Sequence, residues 1–189
     1  MKKKNIVIIA VVAVVLVLVF SVIGGYNGLV DMREGVESAA STIDTQLQRR
    51  ADLIPNFVNT VKGYSDYEQE TFKAVTEART AVQKANGVTE QAEANEQLDG
   101  AISVWVNAIT EAYPELKANE QYNALTDELA GTENRIAVAR KDYNDAARKY
   151  NVAVKRFPKS IIASLFGFDK ADYFEATEGA SSVPQVSFD

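Results

Sequence analysis

The sequence predicts an all-α protein: an N-terminal transmembrane helix followed by an elongated antiparallel four-helix bundle, a short fifth helix and an extended C-terminal tail. Three observations support this class. A long charge-free apolar run opens the chain, apolar residues then recur every three or four positions, and only 4 Pro and 10 Gly interrupt 189 residues. Recurrence at that spacing is typical of amphipathic helices, and no competing strand pattern is present.

The apolar run covers residues 6–23 and is interrupted only by Ser21. Eighteen helical residues rise about 27 Å, close to the ~30 Å hydrocarbon core of a bilayer. A helix also satisfies its own backbone in lipid. We therefore predict a basic N-terminus over 1–5 and a membrane anchor over 6–25. Its lipid-facing residues include Ile6, Val15, Phe20 and Ile23.

A cleaved signal sequence is the alternative, since Lys2, Lys3 and Lys4 precede the run. However, the run exceeds the usual signal core of about 7–15 residues, and no Ala-x-Ala site follows. Only Arg33 carries a positive charge among the 20 residues after Gly25. The positive-inside rule then predicts a cytoplasmic N-terminus and an exported body.

The first bundle helix follows the anchor and ends at Gly63, with a kink or local break expected near 51–55 because Pro55 lacks an N–H. Its apolar stripe is Leu29, Met32, Val36, Ala40, Ile43, Leu47, Ile54, Val58 and Val61, with Arg50 or Ala51 filling the gap. A capping box, Ser65 to Glu68, begins the second helix, which runs to about Ala85.

Thr89 is expected to begin the third helix and Pro114 to end it, and Asn119 to cap the fourth, which Pro158 ends. The third stripe is Ala94, Leu98, Ile102, Trp105, Ile109 and Ala112. The fourth is Tyr122, Leu125, Leu129, Thr132, Ile136, Ala139, Tyr143, Ala147, Tyr150, Val154 and Phe157. Its mean step of 3.5 favours a coiled-coil-like seam. A short helix near 161–168 follows, so the bundle spans 26–175 and a loosely packed tail spans 176–189.

Composition excludes several chemistries. The chain has neither His nor Cys, which removes the usual catalytic triads, conventional zinc sites and haem ligation by those residues. The net charge is −6, and −9 without the three leading Lys, which argues against nucleic-acid binding. We expect no enzyme activity, no cofactor and no metal site.

Several segments resemble the LemA family. They are IDTQLQRRADLIPNFVNTVKGY from Ile43, YNGLV from Tyr26, YPELKAN from Tyr113, TENRIAVARKDYNDAARKYN from Thr132, RFP from Arg156, the GF at Phe168 and P-x-V-x-F from Pro184. They occur in the family's order along nearly the whole chain. The resemblance implies a bacterial single-pass membrane protein with a helical bundle. It implies no catalytic residue, because the family's activity is not established. We expect the protein in the inner membrane of the cell.

Polar residues near the expected kink predict a structural network. If Arg50 points inward it needs a partner, because an unpaired buried charge is very costly. The predicted network comprises Arg50, Asp52, Asn56, Glu133, Asp142, Tyr143 and Tyr150. A ligand or peptide site at the kink and a solvated charged surface are the alternatives. For the tyrosines, core packing competes with a sugar-stacking platform.

The end of the fourth helix predicts a membrane-surface contact. Residues 135–159 contain eight Lys or Arg against two Asp, and an up-down-up-down bundle returns this end to the bilayer. The expected contact residues are Lys155, Arg156, Lys159, Leu165, Phe166 and Phe168, with the aromatics inserted shallowly. The alternative is that this apolar piece closes the membrane-proximal end of the core.

Together these features predict a membrane-anchored, non-enzymatic scaffold or self-assembling binding module of the cell envelope. The partners expected are membrane lipid, further copies of the chain and another envelope protein. The alternative function is an extracytoplasmic sensor or accessory subunit of another membrane protein.

Overall fold

The structure is a computed structural model that describes residues 3–61 and 69–174. Within these ranges it contains helices and no strand. The elements are α1 (Lys3–Val61), α2 (Gln69–Lys84), α3 (Gly87–Ala112), a 3-10 turn (Pro114–Ala118), α4 (Glu120–Lys155) and α5 (Lys159–Phe166). The all-α class and the short fifth helix are therefore confirmed. The capping box, Gly63 and the predicted tail lie outside the described residues.

Helix α1 contains the predicted anchor and continues without interruption for 59 residues. Its large apolar side chains from Val7 to Ile23 are exposed. In the part of the chain that the structure describes, α1 alone is long and apolar enough to cross a membrane, and none of its apolar window is buried. The described anchor residues Val15, Phe20 and Ile23 all belong to this exposed stretch.

No break occurs at Pro55, which lies inside α1. Because proline has no N–H, the carbonyl of Ala51 loses its helical partner. The Nε of Arg79 on α2 donates a hydrogen bond to that carbonyl at 2.9 Å. A side chain from the neighbouring helix thus replaces the missing backbone donor, and the helix continues.

Contacts divide the described chain into two compact units. The first comprises residues 3–39 and 144–171, and the second comprises 40–143 and 172–174. Each unit contains part of α1 and part of α4. The domain boundaries predicted from the sequence (5/6, 25/26 and 175/176) stay predictions.

The second unit is a helical bundle whose directions follow from paired residues. Asp44 and Arg50 of α1 contact Gln91 and Asn95 of α3, so these two helices run in the same direction. Arg49 and Phe57 of α1 meet Glu128 and Tyr122 of α4, so these two are antiparallel. The edge-to-face pair of Phe57 and Trp105, with centroids 5.0 Å apart, lies in the core. The directions of α1, α3 and α4 in this unit agree with the up-down-up-down prediction.

The predicted stripes supply most of the core, and three side chains illustrate where they differ from it. Ala112 is exposed because it is the last residue of α3. Phe157 is 77% exposed because α4 ends at Lys155, two residues before it. Phe57 was not on the predicted stripe and is fully buried. Asn119 accepts a hydrogen bond from the Tyr122 amide at 3.0 Å and caps α4, as predicted.

The first unit packs α1, the end of α4 and α5 around a second core. Its buried side chains include Leu29, Val36, Ala147, Tyr150, Ile162 and Phe168. Gly167, at φ 71°, adopts the left-handed conformation that ends α5. The Phe168 amide then donates to the Ala163 carbonyl at 3.0 Å, which turns the chain back onto the unit.

Candidate functional site

The first candidate site lies where α5 packs on α1. A Cβ at Gly25 would collide with Cδ1 of Ile162, and one at Gly28 would lie 3.2 Å from Nζ of Lys159. The absent side chains therefore let α5 approach α1 closely. The apolar run ends only two residues before Gly25, so α5 lies beside the end of the predicted membrane span.

Aromatic rings fix this approach. Tyr26 of α1 makes edge-to-face contacts with Phe166 and Phe168, at centroid separations of 5.0 and 5.5 Å. Such contacts add about 0.5–1.5 kcal/mol each beyond the burial of apolar area. The α5 segment is thus part of the packed unit.

Helix α5 has one buried and one exposed apolar face. Ile162 and Ala163 are buried in the unit, whereas Ile161 and Leu165 are 61% and 74% exposed. The latter two are four residues apart and therefore lie on the same side of the helix. Phe157 adds a third exposed apolar side chain just before α5.

The predicted membrane-surface residues divide accordingly. Lys155, Arg156, Leu165 and Phe166 are exposed, and Lys159 is half-buried over Gly28. Phe168 is only 8% exposed, because the turn at Gly167 returns it to Tyr26, so its predicted insertion is wrong. Some residues of this segment, such as Phe168, therefore complete the core of the unit, whereas others, such as Leu165, form an exposed apolar surface.

Two residues of this surface, Phe157 and Ile161, were missed. The spacing of Ile161 and Leu165 was visible in the sequence, but which apolar side chains of α5 meet the core depends on how the helix packs. Phe157 was assigned to the α4 seam because the end of α4 was placed too late.

The second candidate site is a buried charge network in the second unit. The Arg50 side chain is 4% exposed. Its guanidinium donates to the Glu133 carboxylate at 2.5 Å and to the Asn95 side-chain oxygen at 3.3 Å. It also forms an ion pair with Asp99. The Asn95 amide in turn donates to Asp99 at 2.9 Å, so α1, α3 and α4 meet at one charge cluster.

The structure brings together Arg50 and Glu133 but not the other predicted members of this cluster. Asp142 is exposed, because it lies nine residues after Glu133, and two and a half helical turns place it on the opposite side of α4. Asp52 accepts a hydrogen bond from Gln48 on the exposed face of α1, and Asn56 is exposed next to Pro55. Asn95 and Asp99 were missed, although their i, i+4 spacing beside Leu98 is visible in the sequence.

Burial shapes the electrostatics of this network. Loss of water lowers the pKa of Arg50, while the nearby Glu133 carboxylate opposes that shift and Arg140 adds to it. Burial likewise lowers the pKa of Arg140, opposed by Glu133 and Glu96. The Arg140 guanidinium also lies 4.6 Å from the centre of the Phe174 ring. Opposite charges surround both arginines, an arrangement suited to fixing how helices pack.

The predicted core residue Tyr143 and Asn151, both on α4, contact the segment that follows α5. Tyr143 donates to the Asp172 carbonyl at 2.8 Å, and burial, with a smaller effect of Asp172, raises its pKa. In the first unit, Asn151 exchanges two hydrogen bonds of 2.8 Å with the backbone of Ala171. Both residues hold the segment that follows α5 rather than a ligand.

Tyr150 lines a cleft of about 300 Å³ in the first unit, together with Arg33, Glu37, Asp169 and Lys170. Burial raises the pKa of Tyr150, and Arg33 opposes that shift. Across residues 3–61 and 69–174, no group of three acidic side chains is arranged to hold a metal ion.

These features define a class of all-helical protein. An apolar N-terminal helix, long enough to span a membrane, continues into a helical bundle, and a buried arginine network joins helices of that bundle. The chain belongs to the LemA family, whose model matches residues 39–188, so the resemblance seen in the sequence is confirmed.

Relatives agree with this assignment. Magnetosome protein MamQ 2 of Paramagnetospirillum magneticum is 27% identical over 175 residues, 79% of this chain and 64% of that protein. Magnetosome protein MamQ of Magnetospirillum gryphiswaldense is 27% identical over 85% of this chain and 70% of its own length. Protein LemA of Metamycoplasma hominis is 26% identical, over 84% and 73% respectively. The chain thus spans 64% of the length of the first of these relatives.

Proposed function

We propose that this protein is a membrane-anchored, non-enzymatic helical module of the bacterial cell envelope that acts as a scaffold or self-assembling binding module. One observation carries the proposal. The apolar run and the packed face of the first unit belong to the same uninterrupted helix, α1, with Leu29 and Val36 already in the core. No linker separates the anchor from that unit, so whatever the unit binds is held next to the membrane.

The polar groups support a structural role rather than catalysis. The chain contains no His or Cys, the residues that most often act as base or nucleophile near neutral pH. The buried Arg50 is matched by Glu133 and Asp99 within the bundle. The relatives described above are named for the magnetosome or for the family, and none is named for a reaction.

Self-assembly follows from the tether. Confinement to a membrane raises the effective concentration of identical copies, so weak contacts between bundles become significant. The three leading Lys favour a cytoplasmic N-terminus, which leaves the bundle on the extracytoplasmic side of the inner membrane.

The test is the composition of the complex in intact membranes. The full chain is crosslinked in membranes, extracted in mild detergent and measured by light scattering and mass spectrometry. Homo-oligomers are the expected result. A stoichiometric complex with a different membrane protein would instead favour a sensor or accessory subunit, and a monomer without partners would contradict both roles.

A further inference from the structure

We propose that Phe157, Ile161 and Leu165, together with Lys155 and Arg156, form an interfacial surface that rests in the headgroup region of the bilayer that α1 crosses. These five residues are called the α5 surface below. The inference rests on the proposed function, because it requires α1 to be a membrane anchor.

The position of the α5 surface follows from its contacts within the first unit. Gly25 faces Ile162 of α5, and Ile23 ends the apolar run two residues earlier. At 1.5 Å per residue, that contact lies about 3 Å beyond the run. Because the span and α5 belong to one compact unit, α5 is held at the level where hydrocarbon gives way to headgroups.

The exposed apolar side chains fit this level. Phe157, Ile161 and Leu165 are each more than 60% exposed, while Ile162 and Ala163 on the other side of α5 complete the unit's core. The exposed face is therefore not required for packing within the unit. Apolar residues grouped beside polar ones at such a height are typical of segments that lie in the membrane interface.

The positive charge of the α5 surface favours lipid, rather than a second copy of the chain, as the partner that covers it. Lys155 and Arg156 are exposed beside Phe157, and neither forms an ion pair with a described residue. Anionic headgroups attract such a basic rim. A second copy seated face to face would instead bring the same positive charges together, which is unfavourable. We infer that a bilayer containing anionic lipid covers the α5 surface.

The absence of cysteine allows a direct test, because any introduced cysteine is unique. Three variants of the full chain, Leu165→Cys, Val15→Cys and Val138→Cys, carry an environment-sensitive fluorophore in vesicles of phosphatidylcholine and phosphatidylglycerol. Val15 reports the anchor, and Val138 is a matched exposed apolar position outside the α5 surface. Lipids with a quencher near the headgroup then measure contact of positions 165 and 138 with the bilayer surface, and lipids with a quencher deep in the acyl chains measure contact of position 15 with the hydrocarbon core. Circular dichroism checks that each variant is folded.

The expected result is strong quenching at position 165 and little at position 138. Adding Lys155→Gln and Arg156→Gln to Leu165→Cys should weaken the contact by about fivefold per charge removed in the anionic vesicles. In vesicles of phosphatidylcholine alone, the two glutamines should have little effect.

Three other results have separate meanings. A quenched label at 15 with an unquenched label at 165 overturns the α5 surface and leaves the anchor intact. A label at 165 that is shielded from water but not quenched by lipid shows that protein covers the surface, which also overturns the inference. An unquenched label at 15 contradicts the proposed function itself.

Discussion

Arg50 joins three helices through one buried guanidinium group, which contacts the buried Asn95 and the half-buried carboxylates of Glu133 and Asp99. Removing one partner of a buried ion pair leaves the others without compensation. We therefore expect Arg50→Met to lower the free energy of unfolding by about 1–3 kcal/mol, less than for a fully buried pair because water reaches both carboxylates. Denaturant unfolding of the full chain in detergent measures this.

Asp142→Asn is the matched control, because Asp142 is an exposed acid on the same helix as Glu133. It should change the free energy of unfolding by no more than about 0.5 kcal/mol. Equal stability of Arg50→Met and the unaltered protein would show that the network does not hold the bundle.

Arg79 has a testable role at Pro55. Arg79→Leu should cost about 1–3 kcal/mol, because the Ala51 carbonyl is left buried without a donor. In a Pro55→Ala background the restored backbone N–H can bond to that carbonyl, so the same change should cost less. A double-mutant cycle measures this coupling, and a cost that is identical in both backgrounds argues against it.

Part of the Arg50 network could be predicted from the sequence. The rest depends on how each helix is rotated about its axis, which the sequence does not specify. The gap in the α1 stripe indicated that residue 50 or 51 points inward, and both are buried. Of the two acidic residues predicted on α4, Glu133 contacts Arg50, whereas Asp142 lies on the far side of that helix. Asn95 and Asp99 could not be assigned, because the sequence does not state which side of α3 meets α1.

At the scale of elements, two adjacent residues of α5 have different roles: Ile162 packs in the core, and Ile161 lies on the exposed face. Ile162→Ala should destabilise the protein by about 2–5 kcal/mol, since Ile162 is buried against Gly25. Ile161→Ala should change stability by no more than about 0.5 kcal/mol, because Ile161 is exposed. Thermal unfolding of the two variants side by side checks this, and equal losses would contradict the two-faced helix.

The Tyr143 hydroxyl of α4 donates a hydrogen bond to the backbone of Asp172 in the segment after α5, and this interaction makes stability depend on pH. Because burial raises the pKa of Tyr143 in the folded protein, the unfolded chain loses the phenolic proton first as pH rises. Its contribution to stability is therefore complete below the ordinary tyrosine pKa of 10.0 and is lost as pH rises above it.

Tyr143→Phe should lower stability at neutral pH by about 1 kcal/mol, the worth of one hydrogen bond. It should also flatten the alkaline decline in the free energy of unfolding. Tyr173→Phe, at an exposed position, is the control and should leave the free energy of unfolding at neutral pH unchanged. An unchanged alkaline slope in Tyr143→Phe would show that this proton is not linked to folding.

The long helices could be predicted because their apolar periodicity extends over many turns, and a 3.5-residue step in α4 leaves little ambiguity. A kink or a local break was predicted near 51–55; the break is absent for a tertiary reason, the Arg79 side chain, and the kink stays a prediction. The positions of Phe157 and Phe168 depended on the last turn of α4 and the left-handed Gly167, local details that periodicity does not report.

At the scale of the whole molecule, the account depends on α1 remaining in the bilayer. Its apolar side chains from Val7 to Ile23 are exposed in the chain itself, and none of them is needed for the core of either unit. Such a surface is tolerated in lipid and not in water, where exposed apolar patches of this size are rare. The scaffold role and the α5 surface both require this anchor.

The most direct measurement is the fate of the first 25 residues in the native protein. Membranes from cells making the full chain are washed at alkaline pH, and pellet and supernatant are analysed by intact mass. The account predicts that the protein stays in the pellet and keeps residues 6–25. Protein recovered from the supernatant without those residues would contradict it.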